Sequence, residues 1–345
     1  LGFWIRKGSV LKLKERFERE DGIYLGKGVA FHIAPSNVPI NFAVSLVSSL
    51  MAGNISIVRV STKPFPQVDI ICSAINELVK QEPFLELSRY IYIIRYQKEM
   101  EINSYLSRLC DLRIIWGGNE TVQQIRAVPI EPRTVEMTFP DRHSFLIIDS
   151  DHYLSEDNPE DIAEKFYLDT FYSDQNACSS PSAVVWIGTR VEQAKELFWD
   201  KIAKIVKEKY DFADILGVDK LNSFCELLLD NDLQGLKADK INQDNLIVRI
   251  RVDRLSADLM KYKTPGGFFF EYHAASLEES VPLCEKACQT ISYLGVDPAQ
   301  IRKMVINYGL YGVDRIVPIG NTMELEFKWD GYEMIEAMSR NIDLF

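Results

Sequence analysis

From residue 28 onward the chain alternates short apolar runs with longer amphipathic stretches, and the alternation predicts its elements. Val29-Ala30-Phe31-His32-Ile33 reads as a buried strand, followed by the turn-forming Ala34-Pro35-Ser36-Asn37. Pro39 then opens a helix with Phe42, Leu46 and Leu50 at spacing four, and Gly53-Asn54 ends it. Ile55 to Val60 is again a strand, and Phe65 to Gln81 carries Val68, Ile71, Cys72, Ile75 and Leu78 at helical spacing. Tyr90 to Arg95 is a third strand. Leu112 to Trp116 is a fourth, turning at Gly117-Gly118 into a helix from Glu120. Strands alternating with helices of this length predict an α/β fold with a mostly parallel sheet covered on both faces.

The alternation restarts over Val135 to Asp149, which places a boundary near 141. Beyond it, Asp161 to Phe171 reads as a helix, Ala183 to Ile187 as a strand and Val191 to Lys209 as a long helix; the polar stretch near 230–245 reads as a surface connection. Ahead of the first strand, Leu11 to Asp21 alternates Lys/Arg with Glu like a solvated helical arm. The expected organisation is an arm over 1–21, a first domain over 22–141 and a second over 142–345. Nothing repeats at a fixed period.

Composition narrows the function. The 39 Lys+Arg against 50 Asp+Glu give 39 − 50 = −11, which argues against nucleic acid as partner because phosphate binding needs a basic footprint. Six scattered cysteines form no disulfide framework and suit a reducing, cytoplasmic setting. No apolar run approaches the ~18 residues that a membrane span requires. The start, Leu1 to Lys7, lacks the regions of a secretory signal.

Three segments can carry chemistry. In Asp174-Gln175-Asn176-Ala177-Cys178-Ser179-Ser180-Pro181 a cysteine sits in a small, polar loop leading into a strand, the setting in which a thiol is reachable and its thiolate favoured. A small packed loop residue is the competing reading. Cys72 belongs to an apolar helical stripe, and Cys225, Cys284 and Cys288 lie on predicted helices; the i, i+4 pair Cys284/Cys288 reads as core, with no third ligand for a metal nearby. The loop Ala34 to Pro39 lies between strand and helix, where ligands of parallel sheets bind and where Asn37 could donate to an oxyanion; a plain turn is the alternative. Trp116-Gly117-Gly118-Asn119-Glu120 turns from strand to helix, with glycines that permit close approach of a phosphate. His32, among apolar neighbours, reads as structural or pocket-lining. The usual dinucleotide and P-loop fingerprints are absent.

In this order and spacing the segments resemble the aldehyde dehydrogenase superfamily and, within it, the acyl-CoA reductases of the LuxC type. The resemblance is carried by GVAFHIAPSNVP (28–39), AGNISIVRVST (52–62), IWGGNE (115–120), DQNACSSP (174–181), and GVDRIVPIG and WDGYEMIEAMSR within 312–340. It implies two Rossmann-like domains, a nicotinamide cofactor domain over 22–141 and a catalytic domain from 142. Cys178 matches the catalytic thiol and Asn37 the side-chain oxyanion donor, working with the backbone N–H of Cys178. Glu136 matches the glutamate that activates water in aldehyde-oxidising members, although Met137-Thr138-Phe139 replaces the Gly-Gly expected after it. Pro35, Ser36, Arg59, Ser61, Thr62, Gly117 and Gly118 fall where the cofactor binds. Thr62 stands where NAD-preferring relatives often hold Glu, and with Arg59 this favours NADPH over NADH.

The implied reaction is NADPH-dependent reduction of an acyl thioester, acyl-CoA above all, to an aldehyde through a Cys178 acyl-enzyme, without metal. Oxidation of an aldehyde to an acid with Glu136 as base, a non-reductive cysteine acyltransferase or thioesterase, and an inactive binding subunit are the alternatives. The resemblance also implies homo-oligomers and an acyl-activating or acyl-transferring partner enzyme.

Overall fold

The computed structural model describes residues 6–8, 10–12, 23–38, 40–97, 99–230, 233, 236–241 and 244–343. The arm expected over Leu11 to Asp21 lies outside the described residues from position 13 on, as do Pro39 and part of the connection near 230–245. The chain forms two compact units: one runs to Asp141 and resumes at Leu325, and the other is Arg142–Glu324.

The first unit holds a fully parallel five-stranded sheet. Its spatial order is Ile91–Ile94, Ile55–Arg59, Val29–Ile33, Leu112–Trp116, Val135–Phe139, or 3-2-1-4-5 in chain order. Helices Asn41–Met51, Pro66–Leu78, Met100–Leu109 and Asn119–Arg126 make the crossovers. Alternate strand residues serve opposite faces: Phe31, Ile33 and Ile115 meet Leu106, Val122 and Ile125, whereas Ala30, Leu112, Ile114 and Met137 meet Met334, Ile335 and Met338.

That last contact corrects the expected domain limits. A second domain over 142–345 ends instead at Glu324, because the C-terminal segment completes the core of the first unit. Strand Ser339–Ile342 pairs antiparallel with Ile23–Gly26, and Asn54 Nδ2 donates to the Met338 carbonyl at 3.0 Å.

The second unit holds a seven-stranded sheet ordered Arg315–Pro318, Cys288–Leu294, His143–Asp149, Pro181–Ile187, Phe268–His273, Val248–Val252, Ala238–Ile241. Only the last pairing is antiparallel. Helix Val191–Lys209 presents Val191, Ala194, Phe198, Ile202 and Val206 to one face at spacings of three and four. The helical reading of Cys284 and Cys288 is also corrected. Cys284 follows the short 3₁₀ segment Leu277–Leu283, and Cys288 begins a strand. The i, i+4 spacing carried no helix because Pro282 stands two residues ahead of Cys284 and C-Q-T-I-S-Y-L is rich in β-forming side chains.

Each core buries a histidine. His32 is held down to about 3 by burial, and His143 to about 4 by burial, with Lys263 and Arg142 adding to the effect and a bond to the Leu283 carbonyl opposing it. An unfolded histidine takes up its proton near 6.5, so the folded state loses stability as the pH falls below that value: about 2 kcal/mol per histidine by pH 5. In the second unit Asp169, pushed up to about 6 by burial, binds its proton in the fold first and returns roughly 1 kcal/mol over the same range. The first unit is therefore the acid-labile one. Native-state hydrogen exchange at pH 7 and pH 5, corrected for intrinsic rates, should show strand Val29–Ile33 losing about 30-fold in protection and strand His143–Asp149 only a few-fold. Equal protection at both pH values in the first strand would refute a neutral buried His32.

Candidate active site

In a parallel sheet of order 3-2-1-4-5, the chain departs in opposite directions after strands 1 and 4, and the crevice between their carboxyl ends is the usual ligand position. Here those strands are Val29–Ile33 and Leu112–Trp116, paired from Ala30/Leu112 to Ile33/Ile115. The loop after the first carries Pro35, Ser36 and Asn37, with Ser36 and Asn37 exposed, and the loop after the second carries Gly117 and Gly118. The structure thus brings five of the expected residues to one crevice. Gly118 caps helix Asn119–Arg126. A Cβ on Gly117 would press on Thr121 Cγ2 at 3.2 Å, whereas one on Gly118 would meet only Asp141 Oδ2, at 3.4 Å.

Arg59 ends the neighbouring strand, and Ser61 and Thr62 follow it at the same edge. The Arg59 guanidinium lies over the Tyr96 ring, 5.2 Å from its centroid, while its buried Nε has no hydrogen-bond partner among the described residues. Tyr96 donates to Asn103 Oδ1 at 2.6 Å, which fixes the ring beneath the cation. Ser61 Oγ accepts the Lys63 N–H at 3.1 Å. From Arg59 to Lys63 the segment carries two cations and no carboxylate. Beneath the crevice, His32 Nδ1 and Ser45 Oγ share a hydrogen bond of 2.8 Å, and Trp116 Nε1 donates to the same hydroxyl at 3.2 Å. His32 is thus a packed core group of the sheet.

Glu136 is not brought to that edge. It lies near the amino end of its strand, opposite Arg113 in register. Arg113 Nε donates to Glu136 Oε2 at 2.6 Å and Nη2 bonds the same oxygen, while Arg126 Nε stands 3.0 Å from Oε1. Arg113, 1% exposed, completes its bonds with Ser107 Oγ and the Val128 carbonyl. Both oxygens of Glu136 therefore belong to an ion pair within the first unit, which was not foreseen for the expected base.

Cys178 belongs to the second unit. Half-buried, it sits in a turn closed by the Ser180 N–H to the Ala177 carbonyl at 3.0 Å, just ahead of strand Pro181–Ile187 and so at the amino ends of the parallel strands. Three groups hold it there. Gln289 Nε2 donates to Cys178 Sγ at 3.2 Å, Ser144 Oγ donates to the Cys178 carbonyl at 2.7 Å, and Thr290 N–H donates to Ser144 Oγ at 3.1 Å. Upstream, Asp174 and Gln175 adopt left-handed backbone, φ 52° and 56°. The Gln175 amide compensates with four bonds: Nε2 to the Pro181 and Phe268 carbonyls, and Oε1 from the Gly267 and Phe268 N–H groups, all between 2.9 and 3.0 Å. Gln289 and Ser144 are absent from the sequence reading, and Gln175 stands there only as a member of the cysteine loop, without a role. The available signal was a polar side chain within an apolar strand or loop, which must find a partner but does not say which.

Among the described residues no cluster of three or more His, Cys, Asp or Glu could hold a metal, and no helix is long and apolar enough to cross a membrane.

The profile of the family described as acyl-CoA reductase (LuxC) matches residues 9–341. The chain is 24% identical over 307 residues to the long-chain acyl-protein thioester reductase of Photorhabdus luminescens, covering 85% of this chain and 58% of that protein. To the long-chain acyl-protein thioester reductase of Aliivibrio fischeri it is 28% identical over 211 residues, covering 58% of this chain and 41% of that protein. The chain thus spans less than two thirds of the length of these relatives. Among solved structures, lactaldehyde dehydrogenase from Escherichia coli matches with a TM-score of 0.66 at 12% identity, over 96% of this chain and 76% of that one. The fold is aldehyde dehydrogenase-like.

Proposed function

The chain belongs to the acyl-CoA reductase (LuxC) family, and on that footing we propose that it reduces a long-chain acyl thioester, carried on coenzyme A or on a protein, to the aldehyde through an acyl-enzyme on Cys178. The observation that carries this reading is the setting of Cys178: a half-buried sulfur whose turn is pinned by Ser144 and whose Sγ receives an amide N–H. A cysteine merely filling space needs neither.

The residues at the carboxyl edge of the first sheet fit a phosphorylated dinucleotide. Arg59 has a buried Nε without a hydrogen-bond partner among the described residues, and no carboxylate lies between Arg59 and Lys63 to repel a 2′-phosphate. Pro35, Ser36, Arg59, Ser61, Thr62, Gly117 and Gly118 would hold the cofactor, NADPH in preference to NADH. When bound, the reduced nicotinamide supplies a hydride to a thioester carbonyl. The chain's own part begins with Cys178. Its thiolate attacks the thioester carbonyl, the new C–S bond forms, and the carrier thiol leaves with its electron pair and takes up a proton. Asn37 and the Cys178 N–H keep the part of oxyanion donors that the family resemblance implies. Water must be excluded so that the acyl group is reduced rather than hydrolysed.

The oxidative alternative requires a carboxylate to activate water, and Glu136 is engaged by Arg113 and Arg126 instead.

The test uses the full chain. Incubated with long-chain acyl-CoA or an acylated carrier protein, it should gain one acyl group on Cys178 by peptide mass analysis and release aldehyde when NADPH is added. Acylation with release only as free acid would favour a thioesterase, and no acylation from either donor would refute the proposal. Arg59→Leu should weaken NADPH binding, read from ligand-dependent thermal shifts, by about 10- to 30-fold while leaving NADH within about threefold. Equal losses for both cofactors would remove Arg59 from the 2′-phosphate.

A further inference from the structure

The geometry points to Gln289 as a catalytic residue of the Cys178 reaction, a neutral amide donor aimed at the reacting sulfur by a β-bulge. The inference rests on the reading of Cys178 as nucleophile.

Between strands Cys288–Leu294 and His143–Asp149 the register runs Cys288/His143 and then Thr290/Ser144, so two steps on one strand face a single step on the other. Gln289 is the extra residue. A bulge of this kind leaves its residue outside the ladder and redirects the side chain. A second bulge lies on the other side of Ser144, where the pairs Ser144/Pro181 and Phe145/Ala183 leave Ser182 over. Both irregularities fall at the amino ends of the strands around Cys178, while the rest of these pairings is regular.

The displaced glutamine is held from several directions. The residue is fully buried, its carbonyl accepts the Asp314 N–H at 3.0 Å, and its Oε1 accepts the Thr290 hydroxyl at 3.4 Å. Thr290 N–H also bonds Ser144 Oγ, which in turn holds the Cys178 carbonyl. The Thr290 hydroxyl thus holds the donor amide, the Ser144 hydroxyl holds the cysteine backbone, and the Thr290 N–H links the two around the 3.2 Å contact.

The charged groups beside this contact have bonds of their own, Lys263 among them, whose Nζ bonds the Arg142 carbonyl. Arg142 pairs with Asp314 and bonds the Cys288 and Gly312 carbonyls, and His143 directs Nε2–H to the Leu283 carbonyl at 2.8 Å. A neutral N–H bonds a thiolate more strongly than a thiol, so Gln289 favours the ionised form without adding charge. The same donor serves the last step. As the thiohemiacetal breaks, the C–S electron pair returns to Sγ, the hydroxyl proton leaves to solvent and the aldehyde is released; Gln289 again meets the charge that forms on sulfur.

The test is the rate of Cys178 alkylation by iodoacetamide between pH 5 and pH 10, followed at the Cys178 peptide, with Cys178→Ser as the blank. Gln289→Met keeps the length and removes the donor; it should move the midpoint up by about one pH unit and slow alkylation about tenfold at pH 6.5, with the high-pH plateau kept. Gln289→Glu, which places a carboxylate in the same volume, should move it at least as far and carries the test if the Met variant does not fold. A role confined to packing would lower thermal stability and leave the midpoint alone. A wild-type midpoint in a folded variant overturns the inference, whereas failure of the wild-type chain to accept an acyl group on Cys178 overturns the reading beneath it.

Discussion

Cys178→Ala is expected to abolish acyl-enzyme formation and to lower aldehyde production by at least about four orders of magnitude. The size follows from the chemistry. Without the thiol no covalent intermediate can form, and the remaining groups could assist only direct reduction of a thioester they were not arranged to hold. Intact mass after incubation with long-chain acyl-CoA reads the first effect, and a stopped assay of aldehyde reads the second. The other cysteines supply controls. Cys225 is exposed on helix Ile215–Leu229, so it is accessible to acyl donors, but it has no counterpart of the bulged strand edge; Cys225→Ala should retain full activity. Cys110, whose thiol burial pushes up to about 11, should likewise remain unacylated in the wild-type chain. An alanine variant retaining more than about one part in a hundred of the aldehyde-forming rate would move the chemistry away from Cys178.

Four strands of the first sheet were legible because each is a mostly apolar run of four or five residues bounded by Gly, Pro or a charge, as a parallel sheet covered on both faces requires, whereas Val135–Phe139 was legible only as part of the stretch where the alternation restarts. Their spatial order was not legible in the sequence, but the loops at Pro35–Asn37 and Gly117–Gly118 could be picked out because ligands of parallel sheets bind at the carboxyl ends of strands. What escaped depends on partners far along the chain. Ser339–Ile342 pairs with Ile23–Gly26, and no local pattern in either four-residue strand names the other. Gln289 stands 111 positions from the sulfur it bonds, in a register set by a bulge whose extra residue looks like any other in the sequence. Cys284 and Cys288 misled for a related reason. Their spacing fits one helix face, yet tertiary pairing with His143–Asp149 makes Cys288 the start of a strand.

Glu136 shows how a motif match and a local physical reading can diverge, and it gives the largest stability change expected here. Two neighbouring strands, L-R-I-I-W and V-E-M-T-F, each carry a single charge at their second position, and the strands pair residue for residue. Two opposite charges at matched positions of adjacent strands are the requirement for a cross-strand ion pair. Removing one partner from a buried pair leaves the other uncompensated, so Glu136→Ala should destabilise the first unit by roughly 3 kcal/mol, because Arg113 would keep a buried charge with two donors unmet. Glu136→Gln should be milder, since the amide oxygen can still accept from Arg113. Under the reduction proposed above, aldehyde formation by the folded Gln variant should stay within about twofold of wild type, with the loss appearing in chemical unfolding alone. Were Glu136 the base of an aldehyde oxidation, the wild-type chain would turn aldehyde into acid with NAD(P)+, and Glu136→Gln would lose that activity as well as the ion pair. The two readings therefore part on the turnover of one folded variant: intact aldehyde formation, or lost conversion of aldehyde to acid.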